Sequence, residues 1–296
     1  MVIAMANGSG IGGPYREVRL AQGAIRYREI GDGEPIVFVH GLLTNGHLWR
    51  NVAPALAAKG YRCVLPDWPL GAHSLPMDPG ADLTFPALAR LVEEFLAALD
   101  LREVTLVGND TGGALSQVVV TTYPDRIGRL VLTNCDAFSN FLPLLLRYFQ
   151  WGAHLPGFVW LASKLLPIRP LQRLPFTLGW LTKEPIPATV LDGYFAPMRR
   201  DPAIRRDLEK VLRAISPQVT LLAADRLPGF ARPTLIAWAP EDRLFTWSTA
   251  ERLAARFPDA RLRPVPNSYG FVSEDQPLVV AGLIDDFLRE SSIMAA

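Results

Sequence analysis

The sequence predicts an α/β protein with a mostly parallel central sheet flanked by helices and an inserted helical cap. Three observations predict it. Short apolar runs of β-formers alternate with stretches of helical period up to Asp136, and the alternation resumes at Thr234. The block between is Pro-punctuated, rich in Leu, Trp and Phe, and helical in pattern. The run Val104 to Val107 enters Gly108-Asn109-Asp110-Thr111-Gly112-Gly113, and a helical pattern leaves through Ala114, Leu115, Val118 and Val119. That is a tight strand–turn–helix.

In chain order, residues 1–14 are small and Gly-rich, with no cationic leader before an apolar core. They are expected to form a flexible arm, not a signal peptide. Residues 15–30 alternate through Val18, Leu20, Ile25, Tyr27 and Ile30 around Gln22-Gly23, which predicts an edge hairpin. Ile36 to Val39 is continuously apolar, as in a strand buried on both faces. A helix is expected near His47 to Lys59, and a strand over Arg62 to Leu65 ending at Asp67. The next helix covers Leu83 to Leu99, with Leu88, Leu91, Val92, Phe95 and Leu96 on one face. The elbow strand, its helix to Tyr123 and the strand Leu130-Val131-Leu132 follow. Beyond the interruption come the strand Thr234 to Trp238, a helix near Thr249 to Phe257, the strand Arg261 to Val265 and a helix from Pro277 to Arg289. The core is thus assigned to 15–135 and 227–296, and the cap to 136–226. A cap places apolar walls over the carboxyl ends of the strands, where open α/β sheets bind ligands.

Composition narrows the function. The 296 residues are 49% hydrophobic and 20% charged, with a formal net charge of +1, as in a soluble enzyme. No basic block points to nucleic acid. Cys63 and Cys135 read as buried thiols, and no Cys/His cluster has metal spacing, so neither metal nor cofactor is expected. The most apolar stretch, Phe138 to Leu166, is broken by Arg147, His154, Pro156 and Lys164, so membrane insertion is not expected. A cytoplasmic protein with a small lipophilic substrate is the expectation, and a homodimer is compatible with it.

The elbow carries the chemistry. It lifts Asp110 to a helix N-terminus, whose N–H groups and partial positive charge suit a carboxylate. An ionised Asp needs no base to act as a nucleophile. Asp is also a good helix cap, and the turn alone leaves both readings open.

Other motifs fall in a matching order. His40-Gly41-Leu42-Leu43 follows the third strand, Asp67 to Ser74 follows the fourth, and Ala239-Pro240-Glu241-Asp242-Arg243-Leu244-Phe245 follows the strand after the cap. With these the chain resembles the α/β-hydrolase superfamily, in its epoxide hydrolase and haloalkane dehalogenase-like branch with an aspartate nucleophile. The resemblance covers nearly everything after residue 15 and is weak within the cap. It implies Asp110 as nucleophile, Asp242 as the triad acid, and the backbone N–H groups of Leu42 and Thr111 as oxyanion donors. His40 is expected to hold the oxyanion turn. Asp136 has two readings: an alternative partner acid, or, preferred here, a cap on the first helix of the insertion.

The chain departs from the family in two places. The family's catalytic histidine precedes a Phe-x-x-x-Asp-x-Pro stretch; here Phe271, Asp275 and Pro277 keep their places and Gly270 stands where the histidine belongs. The four histidines are His40, His47, His73 and His154. Attack by Asp110 on carbon needs no histidine. Hydrolysis of the resulting ester needs an activated water, and a general base is worth roughly 100- to 10,000-fold. The second departure is that the halide-holding side chains of dehalogenases are absent, since Thr111 follows Asp110 and Leu42 follows the His-Gly pair. Tyr148 and Tyr194 in the cap are candidate proton donors to an epoxide oxygen, and His154 is the candidate displaced base. Each has packing or surface placement as its ordinary reading. Trp151, Trp160 and Trp180 line or support a lipophilic cavity, or are plain core. Three functions follow: a hydrolase of a small lipophilic electrophile (epoxide, alkyl halide or ester-like); a non-hydrolytic cyclase, isomerase or lyase using Asp110 for acid/base chemistry; or a binding protein that has lost catalysis.

Overall fold

The structure, a computed structural model, describes residues 13–295. Most of the expected N-terminal arm lies outside the described residues. The first half of the chain gives strands β1 (Arg16–Leu20), β2 (Gly23–Ile30), β3 (Glu34–Val39), β4 (Tyr61–Pro66), β5 (Val104–Asp110) and β6 (Ile127–Cys135), with helices α1 (Ala53–Ala57), α2 (Phe85–Ala98) and α3 (Thr111–Thr122). Helices α4 (Arg147–Gly152), α5 (Phe158–Leu165), α6 (Arg169–Gln172), α7 (Ala188–Arg200), α8 (Pro202–Ala214) and α9 (Pro217–Arg226) come next. The chain returns to the sheet with β7 (Thr234–Trp238), α10 (Trp247–Ala254), β8 (Ala260–Pro264), α11 (Val272–Asp275) and α12 (Pro277–Ala295).

The strands form one eight-stranded sheet in the order β1-β2-β4-β3-β5-β6-β7-β8. β2 is antiparallel to β1 and to β4, and every later pairing is parallel. The apolar runs account for the buried middle: Ile36, Val37, Phe38 and Val39 are fully buried, with helices on both faces. Beside the elbow the register slips from Gly108↔Leu132 to Asp110↔Cys135, so β6 carries one extra residue there. Such bulges re-aim side chains beside active sites.

Two expected elements differ. The helix expected over His47 to Lys59 is broken. A 3₁₀ turn, Gly46–Trp49, is capped by the Asn45 side chain, and α1 starts afresh at Ala53. Pro54 lacks the N–H and restricts the residue before it, so no helix runs through. The expected cap boundary at residue 226 includes α9, yet α9 packs against α3 in the core layer. α4, α5, α7 and α8 pack among themselves. α8 pins this group to the loop after β4. The Asp207 carboxylate accepts from the Met77 N–H at 2.8 Å and faces His73 at 3.3 Å, and Lys210 donates to the Pro79 and Ala81 carbonyls. Cys63 and Cys135 are free and buried. Among the described residues no helix is long and apolar enough to cross a membrane.

Candidate active site

Asp110 ends β5 and precedes α3 with φ 54° and ψ −132°, a positive φ that a non-glycine residue holds only under surrounding constraint. Its side chain makes no ordinary capping bond to α3; the α3 N–H it meets is that of its neighbour Thr111. The carboxylate lies flat against Gly41, where a Cβ would come within 2.1 Å of Oδ2, so residue 41 has to be glycine. Gly113 answers the same need on the helix side, because a Cβ there would meet the Cys135 Cβ at 2.3 Å. Burial pushes the Asp110 carboxyl up to about 7. The backbone N–H groups of Thr111 and Leu42 pull it back, and the Asp242 charge pushes it further up.

Asp242, in the loop after β7, is nine-tenths buried and fully engaged. Oδ1 accepts from the N–H groups of Leu244 (2.7 Å) and Phe245 (3.1 Å), and Oδ2 from the Asn134 amide at 2.7 Å. Burial still raises it to about 6. Gly270 lies against it: a Cβ at 270 would be 3.3 Å from Asp242 Oδ2, 3.1 Å from Leu181 Cδ2 and 3.6 Å from Phe245 Cδ2. The Gly270 carbonyl accepts from the Asn109 amide at 2.8 Å.

Asp136 caps no helix, which corrects the preferred expectation. The chain turns back at Ala137, which bridges to Asn140. Asp136 is instead fully buried beside the elbow, and its Oδ2 accepts from the Thr111 hydroxyl at 3.2 Å. Burial, then the Asp110 charge, hold it well above the usual carboxylate range.

The other expected residues are not brought to Asp110. The His40 ring bonds the Gly41 carbonyl through Nδ1 (2.9 Å) and accepts from the Trp68 N–H through Nε2 (2.8 Å). Burial lowers it to about 3, so the ring is neutral with both nitrogens engaged. His154 is exposed at the turn after α4. The Tyr148 hydroxyl donates to the Phe176 carbonyl at 2.7 Å and its ring lines an outer groove. Tyr194 is buried beside the Arg50–Glu274 ion pair. Sequence reasoning missed Asn109 and Asn134, which join the elbow, Asp242 and the Gly270 loop into one network. The available signal was an amide where each apolar strand run ends.

Asp110 opens into a cavity of about 50 Å³ beneath the cap. Apart from Asp110 and Thr177 its described lining is carbon: leucines 42, 43, 142, 146, 166, 178, 181, 208 and 212, with Phe149 and Phe195. The Thr177 hydroxyl donates to the Leu171 and Leu174 carbonyls. The described lining therefore offers a substrate no free side-chain hydrogen-bond donor and no imidazole.

A mostly parallel sheet with an acid at the elbow, a second acid after β7 and a helical insertion gives the layout of an α/β enzyme. The chain belongs to the alpha/beta hydrolase fold family, whose model matches residues 34–277. It is 29% identical over 283 residues to haloalkane dehalogenase 2 of Mycobacterium tuberculosis, covering 90% of this chain and 92% of that protein. It is 28% identical over 282 residues to a cis-3-alkyl-4-alkyloxetan-2-one decarboxylase of Shewanella oneidensis, covering 92% and 87%. Among solved structures, the haloalkane dehalogenase DatA of Agrobacterium tumefaciens superposes with a TM-score of 0.76 at 24% identity, covering 95% of this chain and 98% of that one.

Proposed function

We propose that this enzyme is a lyase in which Asp110 drives a strained, lipophilic cyclic ester of the oxetan-2-one class to lose carbon dioxide without hydrolysis. One observation carries the reading: the Gly270 backbone, not an imidazole, faces Asp242 beneath the carbon-lined cavity. An alkyl-enzyme ester formed there would have no histidine base to cleave it. An anionic leaving group, halide or alkoxide, would meet no side-chain donor, and an unpaired ion in such a space is costly. Carbon dioxide leaves as a neutral, apolar molecule.

The balance is simple. The bond from the ring oxygen to its alkyl-bearing carbon and the bond from the carbonyl carbon to the other alkyl-bearing carbon break. Those two carbons become an alkene, the carboxyl unit leaves as carbon dioxide, and no water or proton is consumed. The Asp110 carboxylate, fixed by the Leu42 and Thr111 N–H groups, faces the carbon where positive charge grows as the C–O bond opens. The lengthwise similarity to the oxetanone decarboxylase supports the substrate class.

The test is incubation with a cis-3,4-dialkyl oxetan-2-one in ¹⁸O-water, with products read by mass spectrometry. Alkene and carbon dioxide, with little 3-hydroxy acid, are expected from the wild type and neither alkene nor carbon dioxide from Asp110→Asn. An ¹⁸O-labelled 3-hydroxy acid as the main product would mean hydrolysis and sink the proposal. The placement of both oxyanion-type N–H groups on the Asp110 carboxylate favours, as a second reading, a covalent hydrolase stalled after attack. That reading predicts a stable adduct mass on Asp110 with epoxides or alkyl halides.

A further inference from the structure

Outside the Asp110 cavity the cap carries an apolar groove of about 320 Å³. Phe149, Leu166 and Thr177 line both spaces, so a single layer of side chains separates the groove from the catalytic cavity. Groove residues Leu161, Leu165 and Phe176 are 48%, 42% and 44% exposed. Trp160 on α5 is exposed too, as are Trp151 on α4 and Leu155 at the turn before α5. Apolar residues exposed together at a groove mark a contact surface, whereas singly scattered ones do not.

The charge of the same segment indicates what it contacts. From Ala137 to Lys183 the chain contains no Asp or Glu, yet carries Arg147, Lys164, Arg169, Arg173 and Lys183. The protein as a whole is at +1, so the excess is local. The Lys164 ammonium lies 6.0 Å from the Trp160 ring centre. Arg147 and Arg173 donate to backbone carbonyls, which leave their charge unneutralised. Arg169 and Lys183 reach Asp192 and Glu241, outside the segment. Tryptophan beside leucine, with lysine and arginine at the rim, is the composition that settles at a lipid headgroup boundary. A second copy is a poor occupant, because the unneutralised Arg147, Lys164 and Arg173 of each copy would oppose one another.

We propose that this face of the cap docks on a bilayer containing anionic lipids, and that the groove draws an alkyl chain from it towards the Asp110 cavity. The proposal does not depend on which reaction Asp110 performs.

Flotation of the purified protein with vesicles tests it, using phosphatidylcholine alone or mixed with phosphatidylglycerol. The mixed vesicles should bind about tenfold more protein or better, and added salt should weaken the binding. Trp160→Ser should lower binding to the mixed vesicles several-fold, and so should the pair Lys164→Glu and Arg173→Glu. All three positions are at the surface, so circular dichroism should not change. Leu278→Ser, 74% exposed on α12 and outside the cap, is the control and should bind like the wild type. Failure to bind either vesicle, equal binding to both, or binding indifferent to the cap variants would overturn the proposal. So would a dimer seen by light scattering without lipid that Trp160→Ser dissolves.

Discussion

The floor and the roof of the Asp110 cavity are built on opposite principles. The floor, at the carboxyl ends of β5, β6 and β7, holds three buried aspartates and two buried asparagines, and bonds of 2.7–3.2 Å tie down Asp136, Asp242, Asn109 and Asn134. The roof presents leucine and phenylalanine, and its recorded polar ties to the loop after β4 run through α8, away from the cavity. Hydrogen bonds fix direction, whereas apolar contacts fix little beyond volume. On the proposed function, reaction chemistry is set by the floor and substrate size by the roof. With only about 50 Å³ enclosed, roof side chains have to shift before a substrate with alkyl chains can enter.

The strongest way to break the floor is Asp110→Asn. Turnover should fall by about a thousandfold or more, as when a charge aimed at the transition state is removed. Stability should move the other way. Folded Asp110 keeps its proton up to about pH 7, whereas the unfolded residue loses it near 4. The folded state therefore binds more protons across that window, and its stability falls as pH rises through it. Asp110→Asn should remove the Asp110 part of that slope and stabilise the protein at pH 7.5, by at most about 4 kcal/mol for a carboxyl raised from about 4 to about 7. Urea unfolding at pH 5 and pH 7.5 reads both effects, and an unchanged slope would show that Asp110 ionises normally.

Asn134→Ala attacks the same floor through its scaffold. The substitution removes a donor from Asp242 and leaves the Ala239 N–H, now bonded to the Asn134 side chain at 2.8 Å, without its acceptor. A loss of roughly 1–3 kcal/mol is expected from orphaning buried groups. Asn134→Asp keeps an acceptor for Ala239 but sets a like charge against Asp242, so it should be worse than Ala above about pH 6. Equal losses across pH would remove Asp242 from the account.

Gly270→His sharpens the comparison by adding to the floor the base it lacks. Residue 270 is not in a left-handed conformation, and its Cβ would sit 3.3 Å from Asp242 Oδ2, so the ring can be oriented by that acid. Leu181 stands in the way at 3.1 Å, and Gly270→His with Leu181→Ala should therefore outperform Gly270→His alone. Several-fold more ¹⁸O-labelled acid from the oxetanone is expected, within the roughly 100-fold or greater reach of a well-placed base. If neither variant gains hydrolysis while both fold, the missing histidine is not what prevents it.

The sequence showed more of the floor than of the roof, for a physical reason. Asp110 is legible because a β-run, three glycines and a helical pattern cannot share so few residues unless the turn is tight. Asp242 and Gly270 stand out through the spacing of their loops, and the structure sets the two residues side by side. Asn109 and Asn134 were passed over because one amide at a strand end has no periodicity to distinguish it. The cap gave no register at all. α4 and α6 span six and four residues, too short for a face to show in the pattern, so nothing told whether Tyr148 pointed inward or outward. Asp136 was misread because β6 is followed by a bridged turn and not by a helix.

The smallest expected effect comes from His154, and it separates the regions most cleanly when set beside His40. His154 was the candidate displaced base, yet it is exposed at the turn after α4 and absent from the cavity lining. His154→Ala should change stability by less than about 0.5 kcal/mol and leave turnover within error. His40 lies under the floor with both ring nitrogens bonded. Its replacement by Ala would leave the buried Trp68 N–H without an acceptor and free the Gly41 turn on which the Asp110 carboxylate rests. A loss of roughly 2–4 kcal/mol is expected there. The decisive observation is the pH–rate profile of His154→Ala. If His154 were a displaced base, its removal would alter that profile, whereas an unaltered profile leaves Asp110, with its carboxyl at about 7, as the group whose ionisation the rate follows.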